Sequence, residues 1–215
     1  YDFYAISASE NEKIIIKNII LKHYFILKLQ MQLIKNKIEQ PLEITKVLLL
    51  FHLINKLKTE NILKQLNAQL HEHLNSEGMH KSINPCTHAE YINDLYEIKN
   101  MCLFFGLHVP KEIEFQLINM STVLKNLFHK DNTLALFNGS NNSNLESINK
   151  INSLQKDIKS KNLSNPKDGL AIYEINKLKI FFDVTKPTNK LLSQNLHAGT
   201  LSIEMSYNNE KIITN

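Results

Sequence analysis

Through the first third of the chain, apolar residues fall at three- and four-residue steps. Between about 11 and 38 they are Ile15, Ile16, Ile19, Ile20, Tyr24, Leu27, Met31, Ile34 and Ile38. This spacing lines one face of a helix. Ser9, with Glu12 three residues on, predicts a capping box at its start. Pro41 opens a second helix, through VLLLFHLINKL to about 58, and Thr59 followed by Glu60 opens a third that ends near Leu74. Asn84 as cap with Pro85 at the first helical position starts a fourth, closed by Gly106. Pro110, with Glu112 and Glu114 in the favourable first turn, starts a fifth that runs to about His129. Short connections between such helices make antiparallel hairpins, so the first 130 or so residues read as stacked helical pairs.

The pattern then changes. A polar, asparagine-rich stretch follows DNTLALFNG, then a weaker helical segment at about 145–160 and the loop KNLSNPKDG. From Gly169 the period becomes two, in LAIYEI, LKIFFDV, TLSIEMSY and EKIITN. Asn176-Lys177 and Asn208-Asn209 are placed as hairpin turns between successive strands. Helices followed by strands predict an α+β chain of segregated parts. The expected parts are a helical domain at 1–143, a helix and linker at 144–165, and the start of an antiparallel β-domain at 166–215. About four strands make an incomplete sheet, so this last part is expected to be truncated.

Composition narrows the function classes. The chain has 215 residues, 43% hydrophobic and 21% charged, enough to bury a substantial core. No run of about 18 uncharged apolar residues is present, so no membrane span is expected. The net charge of +4 comes from lysine alone, since the sequence contains no arginine. Lysine lacks the planar fork that grips phosphate at two points, and the lysines are dispersed, so no nucleic-acid partner is expected. No signal peptide is visible in what reads as a fragment. Cys86 and Cys102, sixteen positions apart on one predicted helix, would sit about 24 Å apart along its axis and cannot form a disulfide.

Nine histidines raise the question of a metal or a proton carrier. His71 and His73 point to opposite sides of a helix, and His23, His52 and His108 stand alone. SEGMHKSINPCTH differs, with His80 in a loop after Gly78 and His88 in the first turn of the helix begun by Pro85. Loops and helix starts at the open end of a helical array are where sites gather. DNTLALFNG, with His129 just before it, Asn138 and Gly139, is a second such loop. Neither a nucleophile elbow nor a glycine-rich phosphate loop is present.

Taken together, SEGMHKSINP, FHKDNTLALFNGS, IFFDVTKP and LHAGTLSIEMSYNNEKIITN occur in an order and spacing that resemble the heparinase II/III-like family. The segment H-A-G-T-L-S-x-E-x-S, from His197 to Ser206, is the most specific part. The resemblance implies a helical α/α toroid followed by an antiparallel β-sandwich. It also implies a polysaccharide lyase that acts on uronate-containing acidic glycans in the cell envelope or periplasm, or an inactive glycan-binding or envelope-assembly protein on the same scaffold. By the same resemblance His88 and His80 are the catalytic candidates, and Asn138, His129 and His197 contact substrate. His197 is also the candidate zinc ligand, at the second histidine of the family's H-x-H-x-D strand entry, where Asn195 and Gly199 replace the other two residues. Asn215 falls near a further ligand position, with any remaining ligand expected beyond it. The family's toroid tyrosine is Thr87 here, and threonine cannot replace a phenol, whose pKa is about 10, as a proton shuttle. No G-N-H motif precedes it.

Overall fold

The computed structural model describes residues 9–35, 40–141, 169–184 and 201–214. The expected helix at 145–160 and the strand entry at His197 lie outside them. Five helices precede a four-stranded sheet: α1 (Glu10–Leu33), α2 (Leu42–Ile54), α3 (Glu60–His73), α4 (Pro85–Phe104), α5 (Lys111–Asn126), β1 (Leu170–Ile175), β2 (Leu178–Asp183), β3 (Ile203–Tyr207) and β4 (Glu210–Ile213). The chain divides into two compact units, 1–66 and 67–215, parted within α3. This is the α+β order that the change of period predicts.

In the first unit α1 starts with the predicted capping box. The Ser9 amide donates to Glu12 Oε2 at 2.7 Å, and the Glu12 amide donates to Ser9 Oγ. The helix stops at Leu33, earlier than its periodicity suggests: Ile34 is extended, and the Gln40 side-chain amide donates to the Met31 and Ile34 carbonyls. Tyr24 of α1 stacks on Phe51 of α2 with ring centroids 4.0 Å apart. Leu48, Leu49, Phe51 and Leu53 of α2 are buried.

Helix ends follow the residues available to close them. Gly106 takes φ +70° after α4, with Gly106 N–H bonded to Leu103 O and Leu107 N–H to Cys102 O, a Schellman closure. The end of α2 has the same bonds, Lys56 N–H to Leu53 O and Leu57 N–H to His52 O, but places Lys56 at φ 53°. A side chain there costs about 1 kcal/mol that glycine avoids. Lys56→Gly is therefore expected to raise unfolding free energy by about 0.5–1 kcal/mol, read as a higher urea midpoint at unchanged slope.

In the second unit α4 and α5 pack through Ile92, Leu95, Ile98, Ile113, Leu117 and Met120, all buried. Cys86 and Cys102 are free thiols on α4, as expected. Helix α5 ends at Asn126, short of His129, because Leu127 and His129 pair with Ala135 and Thr133 instead of continuing the helix. The sheet is an antiparallel meander in the order β1-β2-β3-β4. Its two tight turns fall where predicted, with Asn176 and Asn208 in left-handed conformation. A register shift between Met205 and Ser206 interrupts the β3–β4 ladder. No helix among the described residues is long and apolar enough to cross a membrane.

Candidate functional site

The two loops singled out by sequence come together in the second unit. Asn84 caps α4 through its side-chain oxygen, which accepts Thr87 N–H at 3.0 Å, while its Nδ2 donates to the Asn138 carbonyl at 2.9 Å. Asn138 Nδ2 returns a bond to the Ile83 carbonyl at 3.3 Å. Beside them the Cys86 thiol donates to Asn141 O at 2.6 Å. Both Ile83 and Asn138 lie in the left-handed region, at φ 52° and 53°. Asparagine tolerates this conformation; a β-branched isoleucine does not adopt it without strain. The amide of Asn138, expected to face substrate, is thus engaged in tying the two loops.

His88 is fully buried. Its Nε2 lies 2.9 Å from the Met120 carbonyl and must donate, while Nδ1 accepts the His80 N–H at 3.2 Å. The network assigns one neutral tautomer and leaves neither nitrogen for substrate. Burial pushes its pKa down to about 4, against the opposing pull of the Met120 carbonyl. In this arrangement the ring, expected to be catalytic, fixes the His80 loop onto α5.

His80 has a different setting. It is partly exposed, and its Nδ1 accepts Ser82 N–H at 3.2 Å and lies 2.8 Å from Ser82 Oγ, so the proton sits on Nε2. Burial, then the neighbouring charges of His73, His88 and Lys81, bring its pKa down to about 3. At neutral pH it is an uncharged donor. Its ring lies 5.2 Å from Tyr91 and 5.9 Å from His73, and His73 and Tyr91 are 5.5 Å apart, centroid to centroid. Sequence reasoning set His73 aside with His71 and did not single out Tyr91. One signal was available for Tyr91: it follows Thr87 by four residues, one helical turn, and so shares its face.

His129, expected to contact substrate, is also buried. Its Nδ1 lies 2.7 Å from Ser206 Oγ and its Nε2 3.1 Å from Glu204 Oε1. Glu204, with no exposed surface, accepts Leu136 N–H at 2.6 Å and the Lys211 ammonium at 3.1 Å, and Lys211 also reaches Leu134 O at 3.2 Å. Burial is the largest influence on Glu204 and pushes its pKa up. The bonds from His129, Leu136 and Lys211 outweigh it and hold the carboxyl below the usual value. Glu204 and Ser206 are the E and S of the H-A-G-T-L-S-x-E-x-S segment. Both grip His129 and join β3 to the segment that follows α5.

Among the described residues, no group of three or more His, Cys, Asp or Glu could hold a metal ion. His197, the candidate zinc ligand, lies outside those residues. The described donors alone do not form a zinc centre.

Residues 160–215 match the family model described as Heparinase II/III-like, C-terminal. The fold is similar to that of the heparan sulfate lyase HepC from Pedobacter heparinus, with TM-score 0.62 and 14% identity over 82% of this chain and 32% of that one. It is also similar to heparinase III, with TM-score 0.57 and 13% identity over 80% of this chain and 34% of the other. The chain thus spans about a third of the length of those structures, and at such identities the likeness establishes the fold. No curated protein sequence matches it.

Proposed function

We propose, from the premise that the fold and the C-terminal segment are of heparinase II/III-like type, that this protein is a polysaccharide lyase of the cell envelope or periplasm acting on a uronate-containing acidic glycan. The reaction removes the proton on the carbon beside the uronate carboxylate. The electron pair left behind forms a carbon–carbon double bond as the glycosidic oxygen departs with a proton. That carbon acid is weak, so the site must hold the carboxylate through donors and carry a proton in each direction.

The observation that carries this reading is the ring group His73–His80–Tyr91. A neutral His80, with its proton on Nε2, suits donation to the carboxylate. A bound anion would raise the depressed pKa of this imidazole, because opposite charge favours the protonated form. Tyr91, itself only 6% exposed, carries the phenol that Thr87 does not, one turn further along α4. His88 holds the loop, and His197 keeps the substrate-binding role that the resemblance implies.

Unsaturated uronates absorb in the ultraviolet, so incubation with a panel of acidic glycans tests this directly. The expected result is growth of that absorbance, reduced about a hundredfold by Tyr91→Phe, a change that removes only the hydroxyl. A second reading, an inactive glycan-binding scaffold, draws on the engagement of both His88 nitrogens by backbone groups. Glycan binding with no growth of absorbance would select it. Equal turnover by Tyr91→Phe and the parent would remove Tyr91 from the mechanism.

A further inference from the structure

Helix α1 carries two apolar faces, and its fold uses one. Leu27 and Tyr24 face inward toward α2, and Met31 is buried. On the other side Ile14, Ile15, Ile19, Phe25, Ile26, Leu29 and Leu33 stand 44–69% exposed. At about 100° per residue these seven fall within an arc about 140° wide, centred about 180° from the packed face. The nine-position stripe read from sequence is therefore two stripes, with Ile15 and Ile19 on the outer one.

The outer stripe has the spacing of a coiled-coil seam. Ile15, Ile19, Lys22, Ile26, Leu29 and Leu33 follow one another at alternating steps of four and three over about 27 Å of helix. The positions are symmetric about Tyr24. In an antiparallel pair of α1 helices Ile15 meets Leu33 of the other copy, Ile19 meets Leu29, and Lys22 meets Ile26. Such self-complementarity is what a two-fold interface requires. Lys22 chooses the direction: a parallel pair in register would set two ammonium groups face to face, whereas the antiparallel pair lays each stem along an isoleucine.

The exposed area of the seven side chains is on the order of 700 Å², close to the roughly 800 Å² that each partner gives to a stable interface. A lipid surface fits less well. Lys22 lies in the middle of the apolar arc, where a membrane would have to bury it deepest.

We propose that the outer face of α1 is a homodimer interface, an antiparallel two-helix seam with Lys22 at its centre. The test uses the full chain in sedimentation velocity over a range of concentrations. The expected mass approaches twice 24.9 kDa as concentration rises. Ile19→Glu and Leu29→Glu should each give a monomer with unchanged helix content by circular dichroism, since neither touches the packed face. Lys22→Leu, which removes the central charge, should tighten the dimer about tenfold. A mixture of Lys22→Cys and Ile26→Cys chains should oxidise to the mixed pair. A 24.9 kDa species at all concentrations would overturn the proposal, as would association surviving Ile19→Glu. Preferential crosslinking of Ile26→Cys to itself, or binding to anionic vesicles without self-association, would do the same.

Discussion

Replacing Glu204 by alanine is expected to cost about 3–5 kcal/mol of folding free energy, the range for breaking a buried ion pair from one side. The carboxylate has no exposed surface and receives Leu136 N–H, the Lys211 ammonium and His129 Nε2. Without it the Lys211 ammonium, whose side chain is only 16% exposed, keeps the Leu134 carbonyl and the more distant charge of Asp131. Leu136 loses its acceptor and His129 half of its seat. The loss comes from stranded partners more than from the bonds themselves, so the double replacement Glu204→Leu with Lys211→Met should cost clearly less than Glu204→Ala alone. Urea unfolding of the parent and the two variants measures this. A Glu204→Ala loss below about 1 kcal/mol would mean that the cluster does not hold the sheet to the segment after α5.

Acid should weaken the fold in two overlapping windows, and His88 and His80 share the upper one. Its folded pKa, about 4, lies below the ordinary value of 6.5, so between these values the unfolded chain binds a proton that the folded chain refuses. Stability is then complete above about pH 6.5 and is lost as pH falls toward 4, by on the order of 3 kcal/mol in all. His80, brought down to about 3 by burial and its neighbours, acts in the same direction. Glu204, whose carboxyl is held below 4.5, contributes stability that disappears under more acidic conditions. His88→Gln can still donate to Met120 O and accept from His80 N–H but cannot titrate. Between pH 7 and 4.5 the parent should lose about 2–3 kcal/mol more than this variant. Parallel pH profiles would show that the His88 proton is not what the fold excludes.

The α+β order was legible because the change from steps of three and four to steps of two is a backbone property, visible wherever one face is buried. Caps were legible for the same local reason, as at Ser9–Glu12, Asn84–Pro85 and Gly106. The extent of helices was less so. Helix α1 ends where the Gln40 amide, six to nine residues downstream, takes the Ile34 and Met31 carbonyls, and no local pattern announces such a bond. In the candidate site the two loops were found from their glycines, histidines and asparagines, but the duties within them were not. A histidine that serves catalysis and one that ties a loop look alike in sequence. What separates them here is Met120, thirty-two positions away, whose carbonyl occupies His88. His129 was read as facing outward because its partners, Glu204 and Ser206, lie on a strand more than seventy residues further on. Tyr91 gives no signal of its own, because the resemblance puts a phenol at Thr87, one turn earlier on the same face.

Ile83 is held in a conformation its branched side chain resists, and the bonds that hold it belong to two loops at once, through Asn84 and Asn138. A ligand that pulls the His80 loop must therefore drag the 138–141 turn with it or part both amides together.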